Sequence, residues 1–249
     1  MNLQGLVTRF NFTNFLKKKI LWLMLIIFIL FIILIVIVGL KTKDREELCF
    51  NEKKLYIVYV DKNLKQSEVL KNQKRIKSLG GAGEVLFYKD LYYLVTSVYL
   101  YKNDAMEVVS NINKDFEKSD ILSLTVKKIP REKKNIIKKN QECLKFFKLI
   151  DEFNMEFNEQ HIMFLAGKIN LTTLSNKIIE YKIKLDEIIK NYVTNDSEFY
   201  NKILTYEHTC LLYFNNFLNV FFESTKKDCL VCEFAYNMSL LQFEMASNL

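Results

Sequence analysis

His208, Cys210, Cys229 and Cys232 come nearest, in type and spacing, to a metal or redox centre. One residue separates the first pair, and the second pair has the C-x-x-C spacing. Four such ligands suit a tetrahedral zinc ion, and C-x-x-C alone suits a reversible disulfide. No glycine or turn residue shapes a metal knuckle here, however, and cysteines three apart on a helix also serve as small core residues. Core packing is the reading taken, with a disulfide behind it and zinc last, and no metal or cofactor is expected. With Cys49 and Cys143 the cysteines form no even framework, so the chain is not a disulfide scaffold.

Hydrolysis would need a positioned carboxylate pair, a metal or a cysteine-histidine couple. Asp151-Glu152 and Asp186-Glu187 stand among lysines on helical stretches and read as solvated faces. Gly80-Gly81-Ala82-Gly83 precedes a strand rather than a helix, so it lacks the context of a phosphate loop. His161, beside Ile162-Met163-Phe164, reads as structural. The chain is expected not to be an enzyme.

The elements that would position these residues begin after a long apolar run. Ile20 to Leu40 carries no charge and no proline and follows Lys17-Lys18-Lys19. A run of that length suits one transmembrane helix. The flanks put the short tail in the cytoplasm and export everything after residue 41, because Arg9 and the tri-lysine cluster have no acid beside them. The net charge of +7 is not a nucleic-acid signal: residues 131–249 hold 15 basic and 16 acidic side chains, which leaves the excess upstream. It suits an anionic membrane surface or wall polymer.

Leu55 to Val60 is rich in β-branched and aromatic residues and reads as a strand. Val69, Leu70, Ile76 and Leu79 share a helical stripe that the glycines stop. Val85 to Tyr88 and Leu91 to Tyr99 form a hairpin about Lys89-Asp90. A helix opens at Asn103 or Asp104 and turns Ala105, Val108, Val109, Ile112 and Phe116 inward, and Ile121 to Ile129 is a fourth strand. The order is βαββαβ, the ferredoxin-like arrangement with both helices on one sheet face. Beyond Pro130, residues 136–160, 173–192, 198–222 and 228–246 read as packed helices.

The fold class expected is thus α+β: a single N-terminal transmembrane helix, a ferredoxin-like βαββαβ domain and a C-terminal all-α helical bundle. The domain limits are a tail at 1–19, the span at 20–40, a linker at 41–52, the sheet domain at 53–129 and the helical domain at 130–249.

Tyr92-Tyr93-Leu94-Val95-Thr96-Ser97-Val98-Tyr99, followed by Asn103-Asp104-Ala105, has an aromatic, an apolar residue two later and a small residue before an aromatic. An acidic residue and alanine then open the helix. With the glycines before the second strand, residues 53–129 resemble SPOR domains, the peptidoglycan-binding modules of bacterial cell division and sporulation proteins. The order of anchor and module is similar to the stage II sporulation protein B type. Where that family usually has a glutamine and a glycine in the first strand, this chain has Val58 and Val60.

The resemblance implies that the sheet face opposite the two helices binds glycan strands stripped of stem peptides. If Leu55, Ile57 and Tyr59 face the helices, alternation gives the open face Tyr56, Val58 and Val60. From the third strand it gives Tyr93, Val95 and Ser97, and from the fourth Ser123, Thr125 and Lys127. Tyrosine rings stack on sugars, and hydroxyls exchange hydrogen bonds with ring substituents. An exposed face carrying Val58, Val60 and Val95 also invites a cover, which the helical region would supply.

The function expected is a membrane-anchored, non-enzymatic peptidoglycan-binding protein of sporulation or cell division. Its partners would be glycan strands, the membrane and septal or sporulation proteins, with no nucleic acid. It would lie in the cell membrane as a single-pass protein, N-terminus cytoplasmic and C-terminal domains extracytoplasmic. The alternative is a membrane scaffold whose degenerate SPOR-like domain serves protein-protein interaction.

Overall fold

Strand β1 (Lys53–Asn63) lies inside a four-stranded antiparallel sheet of order β2-β3-β1-β4, with β2 at Glu84–Tyr88, β3 at Leu91–Tyr99 and β4 at Asp120–Val126. The structure is a computed structural model and describes residues 52–129, 137, 140–191 and 198–248. They belong to a compact unit spanning Cys49–Leu249. Between β1 and β2 run α1 (Gln66–Val69), a 3-10 turn (Leu70–Asn72) and α2 (Gln73–Ser78); α3 (Lys102–Ile112) joins β3 to β4. The C-terminal helices are α4 (Gln141–Leu165), α5 (Leu171–Lys190), α6 (Glu198–Phe221) and α7 (Lys227–Asn248).

Local chemistry sets the turns. Lys89 and Asp90 both have positive φ, 50° and 63°, as the tight β2-β3 hairpin turn requires. At the end of α2, Gly80 takes φ +89° and Gly81 N–H donates back to the Ile76 carbonyl at 3.0 Å, a Schellman closure. Asn140 caps α4 by accepting from the backbone N–H groups of Glu142 and Cys143.

Helix α7 decides the architecture. Its buried residues include Val231, Cys232, Phe234, Ala235, Tyr236, Met238 and Leu241, so it is covered on nearly every side. A helix apolar all round belongs inside a protein, and α7 packs against β3, β4, α4 and α6. Leu55, Ile57, Tyr59, Tyr93, Val95, Leu124 and Val126 of the sheet share one hydrophobic core with it. Phe234 closes that core, its ring centroid 4.6 Å from Phe217, 5.2 Å from Phe157 and 5.4 Å from Phe214. A polar seam fixes the register: Lys53 Nζ and Gln242 Nε2 both donate to Asp151 Oδ1, at 2.7 and 2.8 Å, and Asn154 Nδ2 donates to Gln242 Oε1 at 3.0 Å. The opposite sheet face packs on α1, α2 and α3 through Val58, Val60, Val69, Ile76, Leu94, Ala105 and Phe116.

The expected architecture needs correction in three respects. Among the described residues no helix is long and apolar enough to cross a membrane. The apolar run at 20–40 lies outside them, and the single-pass cell-membrane fold class and localisation are not supported. Among the described helices, α5 carries the Lys177-Glu180-Lys184 ion-pair ladder, and α7 holds Lys227, Asp228, Glu233 and Glu244. Secondly, the C-terminal helices do not close on themselves as an independent bundle, because α7 shares its core with the sheet. Thirdly, the faces of β1 are reversed. Leu55, Ile57 and Tyr59 point to α7, whereas Tyr56, Val58 and Val60 point to α1, α2 and α3. Both faces of β1 are apolar, so alternation alone assigns neither to a partner.

Two outcomes test this packing. Phe234→Ala is expected to cost about 3–5 kcal/mol in urea unfolding, with sheet and helices losing structure in one transition. The second concerns Glu207 of α6, fully buried with neither carboxyl oxygen hydrogen-bonded. Burial raises its pKa from 4.5 to about 8, with Glu142 adding to the effect. The folded value lies above the unfolded one, so the native chain keeps a proton that the unfolded chain has released. Stability therefore falls as pH rises from about 5 to about 8, by roughly 1.4 kcal/mol per pH unit. Glu207→Gln should flatten that slope, and an unchanged slope would refute this role for Glu207.

Candidate functional site

A cleft of about 370 Å³ opens between α2 and α3 on the sheet face that these two helices cover. Its floor is β3, at Thr96, Ser97 and Tyr99; Ile76 and Leu79 form one side, and Val108, Ile112 and Phe116 the other. Leu165 of α4 and Asp228 and Cys232 of α7 close one end. Gly80 and Gly81 form part of the wall. A Cβ at Gly81 would lie 2.7 Å from Ile76 Cγ2, so the loop reaches the floor only because that residue has no side chain. Asn111, Asp115 and Asp228 stand exposed at the mouth.

The floor is polar but internally committed. Thr96 Oγ1 donates to the Val58 carbonyl at 3.1 Å and lies 3.5 Å from Ser97 Oγ. Burial pushes the Tyr99 pKa up, so the phenol stays protonated. At the rim, the Arg75 guanidinium lies 3.5 Å from Asp115 Oδ1 and over the Phe116 ring at 4.6 Å.

The residues expected to line one open glycan face do not share one. Tyr93 and Val95 face α7 and are buried in the common core. Val58 and Ser97 are buried toward the α1–α3 side. The structure does bring Tyr56, Ser123 and Thr125 together: Tyr56 pairs with Ser123, and Thr125 with neighbouring Lys54, along edge strand β4. Ser123 is exposed, and Tyr56 and Thr125 are partly so. Val60 lies buried beneath α1 and α2, and Lys127 follows the end of β4.

Cys210, Cys229 and Cys232 are buried, whereas His208 is exposed on α6 with Nδ1 2.8 Å from the Leu204 carbonyl. Among the described residues no three His, Cys, Asp or Glu side chains gather as a metal site. Burial raises all three thiols, Cys232 to about 12, which suits packing rather than redox chemistry. His161 is fully buried beside Tyr99, and burial lowers it to about 4. As a neutral ring it donates from Nδ1 to the Phe157 carbonyl at 3.3 Å.

Sequence reasoning missed Asn111, Asp115, Asp228 and Cys232 as neighbours in one cleft. The glycine loop was the one local signal, and it read as a helix stop and as part of the SPOR resemblance, not as a cleft wall.

No family profile matches this sequence, and no curated protein does. Among solved structures the chain is similar to the peptidoglycan binding domain of the B. subtilis cell wall lytic enzyme CwlC, at 14% identity and a TM-score of 0.26. The match covers 30% of this chain and 95% of that one. A TM-score this low carries no argument about the fold or function of this chain.

Thiol accessibility tests the packing of the cysteines. In native protein Cys143, Cys210, Cys229 and Cys232 should resist an aromatic disulfide reagent and react only on unfolding. Fast labelling of Cys229 or Cys232 in the folded chain, read by peptide mass, would return them to redox candidates.

Proposed function

We propose that this chain is a non-enzymatic interaction module whose sheet serves as a dock for its own helices and whose partner is met at the α2–α3 cleft. The observation that supports this reading is the cover on the sheet. Tyr93 and Val95, on the face that a SPOR-type module would offer to glycan, are buried in one core with α7. Uncovering that face would expose Phe234, Met238 and Leu241 together with the sheet's own apolar side chains, a cost of several kcal/mol for a few large residues. The cleft needs no such opening. Its volume falls within the range of small recognition pockets, and apolar walls with a few polar groups are the usual lining of such sites.

A second reading, peptidoglycan glycan binding in sporulation or division, has one observation in its favour. Tyr56, Ser123 and Thr125 remain accessible along β4 on the same side as the cleft, with the aromatic and hydroxyl groups that a sugar surface uses.

Co-sedimentation of the full chain with purified sacculi, before and after amidase removes the stem peptides, separates the readings. No retention on either is expected for the interaction module. Retention on denuded glycan that is lost in Tyr56→Ala with Ser123→Ala would favour the second reading and defeat the first. Release of muropeptides during the incubation would overturn the non-enzymatic assignment.

A further inference from the structure

We infer that the α2–α3 cleft accepts an alkylammonium group, namely a lysine side chain presented by a protein partner; the inference rests on the reading of that cleft as the recognition site. Its polar atoms offer far more acceptors than donors. Of the three floor hydroxyls, the Thr96 proton goes to the Val58 carbonyl, and Ser97 Oγ, 3.5 Å from Thr96 Oγ1, has that oxygen as acceptor for its own proton. At most one hydroxyl proton therefore stays free, while all three oxygens keep lone pairs. Asp115 and Asp228 at the mouth are acceptors when ionised, and Asn111 supplies the amide donors present. An occupant must bring hydrogen-bond donors and, facing two carboxylates, positive charge.

The walls specify the rest. Ile76, Leu79, Val108, Ile112 and Leu165 flank the path from mouth to floor and suit a stem of methylenes. Lysine has three donors, no acceptor and such a stem. A neutral sugar brings hydroxyls that are acceptors as well as donors and has no charge to set against Asp115 and Asp228.

The cations already nearby are Arg75, paired with Asp115, and the lysines of an adjoining cleft of about 330 Å³. That cleft shares Leu79, Gly80 and Asp228 with the first and is lined by Lys77, Lys226 and Lys227. Lys77 is held by Glu84 at 3.0 Å and Glu233 at 3.4 Å. Arg75 thus offsets part of the negative charge that an incoming ammonium meets at the mouth.

The test uses the full chain with methyl-labelled isoleucine, titrated to about 10 mM with Nα-acetyl-lysine methylamide, its norleucine counterpart and a chitin tetrasaccharide. The expected result is that the lysine probe shifts the Ile76 and Ile112 methyls and binds at least about tenfold more tightly than norleucine, as charge-assisted bonds predict. Asp115→Asn with Asp228→Asn, both at exposed positions, should remove most of that margin, and Arg75→Gln should strengthen binding. Equal affinity for lysine and norleucine, or no effect of the double variant, overturns the inference. A shift with the tetrasaccharide alone overturns it while leaving the cleft as a recognition site. If no probe moves either methyl, both the inference and the cleft reading fail.

Discussion

The docking of α7 on the sheet is the contact from which the rest of this molecule follows. A four-stranded sheet with its short helices on one side leaves an apolar face that cannot stay in water, and α7 buries apolar residues on most of its sides, from Val231 to Met245. Each supplies the surface that the other lacks. Because α7 follows every other described element and packs on β3 and β4, its docking closes the fold, and α4 and α6 pack against its remaining sides.

Hydrophobic burial is non-directional, so it does not choose the angle or depth at which α7 sits. The polar seam does. Asp151 accepts from Lys53 and Gln242, and Asn154 holds Gln242 from its other side, so strand, α4 and α7 meet in one arrangement that satisfies the groups. In a low-dielectric interior a slip that broke these bonds would leave buried polar atoms unpaired, which costs more than the bonds themselves contribute. At the other end of α7, Lys77 bridges Glu84 and Glu233 and ties the α2 turn to the helix. The same placement brings Asp228 and Cys232 to the mouth and end of the α2–α3 cleft. Covering one sheet face and completing the cleft on the other are consequences of one docking event.

How much was legible in the sequence varies with the range of the interaction. Strands such as Leu91 to Tyr99, the turn at Lys89-Asp90 and the glycine stop after α2 depend on neighbours a few residues away. Face assignment was harder. Leu55-Tyr56-Ile57-Val58-Tyr59-Val60 offers apolar side chains to both sides, so the period of two marks a strand without saying which layer it meets. The register shifts between Val58 and Tyr59 and between Tyr59 and Asp61 alter how β1 faces β3, and no local signal announces them. The cysteines show the same limit: C-x-x-C spacing is compatible with metal, disulfide or core, and only their burial separates these.

The sequence by itself determined the elements: period-two and helical patterns, turn-forming residues and the absence of a local catalytic motif are properties of short segments, set by backbone sterics and side-chain type. Tertiary structure alone decided which sheet face is covered, that the helices share the sheet's core, and that Thr96, Asp115 and Asp228 line one cleft. The physical reason is that apolar surface is matched across the whole fold. An amphipathic or doubly apolar segment states how much surface it must bury, but its partner is fixed only when every such surface has found one.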